Sequence, residues 1–259
     1  MGKLFGAFGT QHHAQARFEP MKYYVIVTMM LLSSLVIAQE IKVSDAKPEP
    51  FVTFYDDEHK QKYSEGFFLL GKKHGEWTYY YENGNKQEQS HYNNGLLSGS
   101  VLYWYDNGQR KAEGYFKLVY QDAILAPLRD SVYKEWYPNG NMKVKGEYYY
   151  NVQNNEWKWW FPEGDVWKVV DYAQGLAYPQ EGWNMGGEQT LSEGNGILYD
   201  YYESGRLRSK LSVKYNQFYG LSTYYYENGN IESEGDTYVT DRTGLWKFIY
   251  EDGSRWKHI

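Results

Sequence analysis

The sequence predicts an all-β fold, an elongated solenoid-like array of β-hairpins, and three observations carry that expectation. Two adjacent aromatics, an acidic residue or its stand-in, and Asn-Gly form a phrase that recurs along the chain. Its turn glycines, Gly84, Gly108, Gly140, Gly164, Gly205, Gly229 and Gly253, follow one another at steps of 24, 32, 24, 41, 24 and 24. A fixed period of this size marks a stacked repeat architecture. Asn-Gly between two aromatic runs is a strong short hairpin signal, because a tight primed turn needs positive φ at both central residues. Composition agrees: 19% of the chain is aromatic, with 29 Tyr and 10 Trp, residues that favour half-buried pleated surfaces.

In chain order, residues 1–20 precede Met21-Lys22 and an apolar run from Tyr23 to Ala38. A short basic start, an apolar core and small or modest residues before Gln39-Glu40 read as a secretory signal cut after Ala38, with translation starting at Met21 or residues 1–20 forming a long n-region. The run of 16 is shorter than the roughly 20 residues of a spanning helix, so a membrane is met only through this segment if it stays uncleaved. The expected destination is the periplasm, the cell surface or the medium. Residues 39–53 form a polar linker ending in Pro48-Glu49-Pro50, and residues 54–259 a repeat domain of about seven units. The stretch from Phe54-Tyr55-Asp56-Asp57 to Gly66-Phe67 is a worn repeat that serves as an N-terminal cap. In a full unit, Gly75 to Tyr81 make one strand, Asn83-Gly84 the turn, and the stretch to Tyr92 the return strand. Asn93 to Ser98 form a looser lead to the next unit. Five units carry a second glycine nine residues before the turn: Gly75, Gly99, Gly196, Gly220 and Gly244. The steps of 32 and 41 hold insertions of 8 and 17 residues, within Lys117 to Asp130 and Ala173 to Asn195.

Composition excludes several functions. No cysteine is present, which rules out disulfides, a thiolate metal site, a cysteine nucleophile and a lipoprotein anchor. Net charge is -6, and -8 once residues 1–38 are removed, which gives no attraction to nucleic acid. His59, His74, His91 and His258 lack metal-ligand spacing, no cofactor is called for, and no nucleophile, phosphate or dinucleotide motif appears. The chain reads as a non-enzyme.

Aromatic ladders are then the candidate surfaces. Three residues before each turn glycine stand Tyr81, Tyr105, Tyr137, Phe161, Tyr202, Tyr226 and Tyr250, expected to form the core. Four residues before stand Tyr80, Trp104, Trp136, Trp160, Tyr201 and Tyr225, expected to be partly exposed and to meet a ligand or partner. Within the second insertion, Tyr178, Trp183 and Met185 could anchor in a partner's pocket or fold over their own sheet. Acidic residues before the turns, Glu82, Asp106, Glu203, Glu227 and Glu251, read as a solvated edge that resists aggregation. Two partner classes stay open: a protein, or a carbohydrate stacked on Tyr and Trp faces.

The units Gly75-Glu-Trp-Thr-Tyr-Tyr-Tyr-Glu-Asn-Gly84 and Gly220-Leu-Ser-Thr-Tyr-Tyr-Tyr-Glu-Asn-Gly229 resemble the MORN repeat, in the bacterial variant of YwqK-type proteins grouped as antitoxin components of toxin-antitoxin systems. The resemblance covers about residues 54–259. It implies a β-hairpin solenoid that acts through protein or lipid contacts rather than catalysis. The export signal departs from a cytoplasmic antitoxin, so an immunity role requires a partner that is exported too.

Overall fold

The computed structural model describes residues 46–258, with side chains as far as Arg255. The expected signal and its cleavage point lie outside the described residues. The chain divides into residues 1–47 and residues 48–259, and the second unit is a single sheet. Its strands are β1 (Glu49–Phe54), β2 (Lys62–Leu69), β3 (Lys72–Tyr80), β4 (Lys86–Asn93), β5 (Leu96–Trp104), β6 (Arg110–Gln121), β7 (Ile124–Arg129), β8 (Ser131–Trp136), β9 (Met142–Tyr149) and β10 (Val152–Trp160). There follow β11 (Val166–Ala173), β12 (Leu176–Trp183), β13 (Gln189–Ser192), β14 (Asn195–Tyr201), β15 (Leu207–Lys214), β16 (Gln217–Tyr225), β17 (Ile231–Tyr238), β18 (Asp241–Ile249) and β19 (Arg255–His258). All pairings are antiparallel between chain neighbours, except that β6 pairs with both β7 and β8. The worn cap is the hairpin β1–β2, so the sheet starts at Glu49, inside the stretch expected to be linker.

Two kinds of turn alternate along the two edges, and they reverse the expected assignment. At the Asn-Gly phrase only the glycine has positive φ, +85° at Gly84. The amide of Gly84 donates to Tyr81 O at 2.9 Å and that of Tyr81 to Asn85 O at 2.8 Å. This is a three-residue loop with its glycine in the left-handed region, not a primed two-residue turn. The primed turns lie at the other edge, where both central residues have positive φ: Leu70-Gly71, Asn94-Gly95, Asp122-Ala123, Tyr150-Asn151, Gln174-Gly175, Glu193-Gly194 and Tyr215-Asn216. The segment from Asn93 to Ser98, expected to be loose, is such a turn with its flanking strands. Every described strand except β1, β7 and β19 is therefore hydrogen-bonded on both sides, and the array is a continuous meander rather than a stack of separate hairpins.

Neither insertion is a loop. The eight extra residues after Gly108 lengthen β6 and add β7, closed by Asp122-Ala123. The longer step holds an eighth three-residue loop at Gly187, whose amide donates to Asn184 O at 3.0 Å while Asn184 N donates to Glu188 O at 2.9 Å. What looked like one unit with 17 extra residues is two units, the second shortened because β13 has only four residues.

Deep burial recurs seven residues before the turn glycine, where Trp77, Val101, Trp157, Leu198 and Trp246 are 1–4% exposed, while of the residues three before it only Phe161 is buried. Each of the three tryptophans lies over a glycine eleven residues earlier, on the neighbouring strand. A Cβ at Gly66, Gly146 or Gly235 would come within 2.4, 2.0 or 2.6 Å of the indole. Each indole also donates to the carbonyl that follows that glycine: Trp77 Nε1 to Phe67 O (3.0 Å), Trp157 to Glu147 O (3.1 Å) and Trp246 to Asp236 O (2.9 Å). A buried indole satisfied in this way contributes about 3–5 kcal/mol, the usual cost of truncating one.

Candidate binding groove

Tyr81, Tyr105, Tyr137, Tyr202 and Tyr226, three residues before their glycines, are half-buried and link one unit to the next through their hydroxyls, and Tyr55 of the cap makes the same link. Tyr55 donates to Tyr80 O (2.7 Å), Tyr81 to Trp104 O (2.8 Å), Tyr105 to Trp136 O (2.8 Å) and Tyr137 to Trp160 O (2.9 Å). Tyr202 and Tyr226 repeat the bond to Tyr225 O and Ile249 O. The asparagine of the phrase forms a second ladder outside the first. Asn83 Nδ2 donates to Asp106 O (2.7 Å), Asn107 to Pro138 O (2.9 Å) and Asn139 to Pro162 O (2.8 Å). Asn-Gly therefore recurs because its glycine closes the loop and its asparagine ties that loop to the next.

Whereas Tyr201 packs against Phe161 and Trp167, strand alternation puts Tyr80, Trp104, Trp136, Trp160 and Tyr225, four residues before their glycines, on the face opposite Trp77 and Tyr79. There the ring faces already meet the chain's own cations. Lys86 and Arg110 lie over Trp104 at 5.6 and 4.7 Å, Lys158 lies over Trp160 at 5.8 Å, and the Tyr80 hydroxyl donates to Glu65. Tyr80, Trp104, Trp136, Trp160 and Tyr225 are all half-buried, as are Tyr178 and Trp183 within β12. Of the eight residues singled out from the sequence, Tyr201 alone borders the cavity described next.

That cavity, about 1100 Å³, lies on the Trp77 face. Its floor is Val101, Ala112 and Gly114, where small side chains stand in place of the Trp-over-Gly pairs found elsewhere. Tyr103, Tyr105, Tyr133 and Tyr137 rise on one side, and Phe161, Trp167, Tyr201 and Met185 close the other. The truncated β13 creates this second wall. It lets β14 approach β11, so that Trp167 Nε1 donates to Tyr199 O (2.9 Å) and Lys168 Nζ meets Asp200 Oδ1 at 2.7 Å. Arg208 holds the other oxygen of Asp200 at 2.7 Å. Trp167 stacks on Phe161 with centroids 5.6 Å apart, and Tyr201 packs edge-on against Phe161 at 5.8 Å.

A bulge at the third residue after each turn glycine supplies the groove's cations. Register shifts skip Lys111 between the pairs Tyr103↔Ala112 and Trp104↔Arg110, and Lys143 between Glu135↔Val144 and Trp136↔Met142. Bulges re-aim a side chain, and here both lysines reach the groove face. Lys111 lies 5.5 Å from the Tyr105 ring and Lys143 5.9 Å from the Tyr137 ring. Lys143 Nζ also stands 3.6 Å from Glu135 and 3.5 Å from Glu203, which belongs to the loop after β14. Glu203 stays solvated, as the sequence placed it, with its side chain 96% exposed, and at the same time stands at the groove mouth beside Lys143. Burial, with Glu163, Glu203 and Glu135 nearby, pushes the Tyr137 hydroxyl up to about 12. Burial and the hydrogen bond to Glu135 raise Tyr133 as well. The groove therefore offers neutral hydroxyls, aromatic faces and carboxylates, a set suited to binding. Among the described residues no three histidine or acidic side chains converge on a metal position.

Four segments, residues 73–94, 97–118, 129–148 and 218–239, match the MORN repeat variant. These four units are similar to the MORN repeat variant. No curated protein matches the chain. The MORN variant repeats coincide with the turns at Gly84, Gly108, Gly140 and Gly229. The units around Gly164, Gly187 and Gly205, which fall outside the matches, carry the short strand and the Phe161–Met185–Tyr201 wall. Sequence reasoning missed the groove because its floor is a local loss of the Gly-to-Trp spacing of eleven, seen intact at Gly66/Trp77, Gly146/Trp157 and Gly235/Trp246. That spacing was available to find it.

Proposed function

We propose that this chain is a non-catalytic repeat scaffold whose groove between the Tyr105–Tyr137 wall and the Phe161–Tyr201 wall receives a segment of a partner protein. MORN repeats generally mediate protein interactions. The observation that carries the reading is the cavity itself, aromatic-walled and built where the repeat departs from its own core pattern. Pockets of this kind, mostly apolar with a few polar groups, are the usual recognition sites of a fold. The apolar run Tyr23–Ala38 supports export of the chain with its partner, and an immunity-type role against an exported toxin is the finer form of this proposal. The carbohydrate alternative has no comparable observation behind it, since a sugar on Trp104 or Trp160 would have to displace the lysine or arginine already there.

The test is affinity capture of the partner with two variants. Ala112→Phe places a ring on the groove floor and should abolish capture. Trp136→Ala, on the opposite face, should leave capture intact. The opposite pattern would move the interaction to the other face, and N-terminal sequencing of the mature chain should begin at Gln39.

A further inference from the structure

We propose that the groove selects a cationic side chain, arginine or lysine, presented by an extended segment of the partner. The inference rests on the protein-binding reading above and specifies its chemistry. Three carboxylates, Glu135, Glu163 and Glu203, line the groove around Tyr137, and Lys143 is set between the first and the last. Both of its ion pairs are loose, at 3.6 and 3.5 Å, so neither holds the lysine in hydrogen-bond geometry. Glu203 is almost fully exposed and free to turn toward an incoming donor. Carboxylates beside aromatic faces attract a cation twice, through charge and through the ring quadrupole.

The same sheet builds this arrangement for its own use one step away. Lys168 sits 4.3 Å from the Trp167 ring and 4.9 Å from the Trp159 ring, with Asp200 as its counter-ion. Two indoles and a carboxylate there enclose one ammonium. In the open groove Tyr137, Phe161, Glu163 and Glu203 repeat that chemistry with space left over, and Lys143 stands in for the ligand's charge. The net charge of -6 adds long-range attraction for a basic segment.

Fluorescence anisotropy of the labelled peptide Gly-Ser-Gly-Arg-Gly-Ser-Gly on the full chain tests this, against the same peptide with citrulline in place of arginine. The arginine peptide should bind about fivefold more tightly. Glu163→Gln with Glu203→Gln should remove that preference. Lys143→Met, which frees both carboxylates, should tighten the arginine peptide about threefold, whereas Lys247→Met, which removes a lysine paired with Glu234 outside the groove, should not. Equal binding of the two peptides, equal effects of the two lysine variants, or preferential binding of a neutral oligosaccharide in the same groove would each overturn the inference. If the groove-filled variant loses the native partner while arginine and citrulline bind alike, the cation falls and the scaffold stands. Retention of the partner by that variant sinks both.

Discussion

Single side chains in this sheet are constrained by what lies directly across the strand. A methyl group at Gly146 would stand 2.0 Å from the Trp157 ring, and the indole cannot yield without losing its bond to Glu147 O. Gly146→Ala should therefore destabilise by about 2–3 kcal/mol in urea unfolding, as overpacking of a rigid site does. Gly229→Ala meets nothing within 4 Å and violates only its φ of +93°, so about 1 kcal/mol is expected. Comparable losses for the two would show that the Trp-over-Gly pair is not tight. Val239 offers the converse case. It is a β-branched residue at φ +58°, where Cβ crowds the carbonyl oxygen. Val239→Asn keeps the amide that bonds Phe218 O and relieves the clash, and it should raise the unfolding midpoint by the equivalent of about 1 kcal/mol.

At the level of strands and turns, the repeat is held in register by hydroxyl and amide ladders that run from one loop to the next. Tyr105→Phe deletes the bond to Trp136 O and leaves the ring in place. It should cost about 1 kcal/mol, and amide exchange should quicken at the loops around Gly108 and Gly140 rather than across the sheet. Exchange that quickens everywhere would mean the ladder is not a local link. Much of this level was legible: the turn glycines, the second glycine nine residues before, and the aromatic pairs all mark real positions. Ser131 at φ +71° and Asn155 at φ +59° occupy that second position where glycine is missing, which is why two units seemed to lack it. The primed turns at Asp122-Ala123, Tyr150-Asn151 and Tyr215-Asn216 went unread because they carry no glycine, and the strand pairing on either side holds them in the left-handed region all the same. Gly187 went unnoticed because Asn184 replaces the aromatic that precedes the other loops.

Across the whole sheet, buried phenols set the response to alkali. Burial raises Tyr80 and Tyr137 from 10.0 to about 12, helped by Glu65 for the first and by Glu163, Glu203 and Glu135 for the second. Burial also raises Tyr92, Tyr103, Tyr133, Tyr172 and Tyr224. A folded-state pKa above the unfolded one means the folded chain binds the proton more tightly. The resulting stability is complete below pH 10 and is lost as pH rises through about 12. Unfolding free energy should thus fall steeply between pH 10 and 12, in step with tyrosinate absorbance, and a flat profile there would show these hydroxyls to be solvated. The sequence by itself determined the β-repeat, its period and most of its turns, because each follows from φ preference and alternation within about twenty residues. Only the tertiary structure decided that a four-residue strand lets β14 reach β11 and bring Glu203 over Lys143. That meeting depends on residues sixty positions apart, and its cause is a strand too short to keep its neighbours separated.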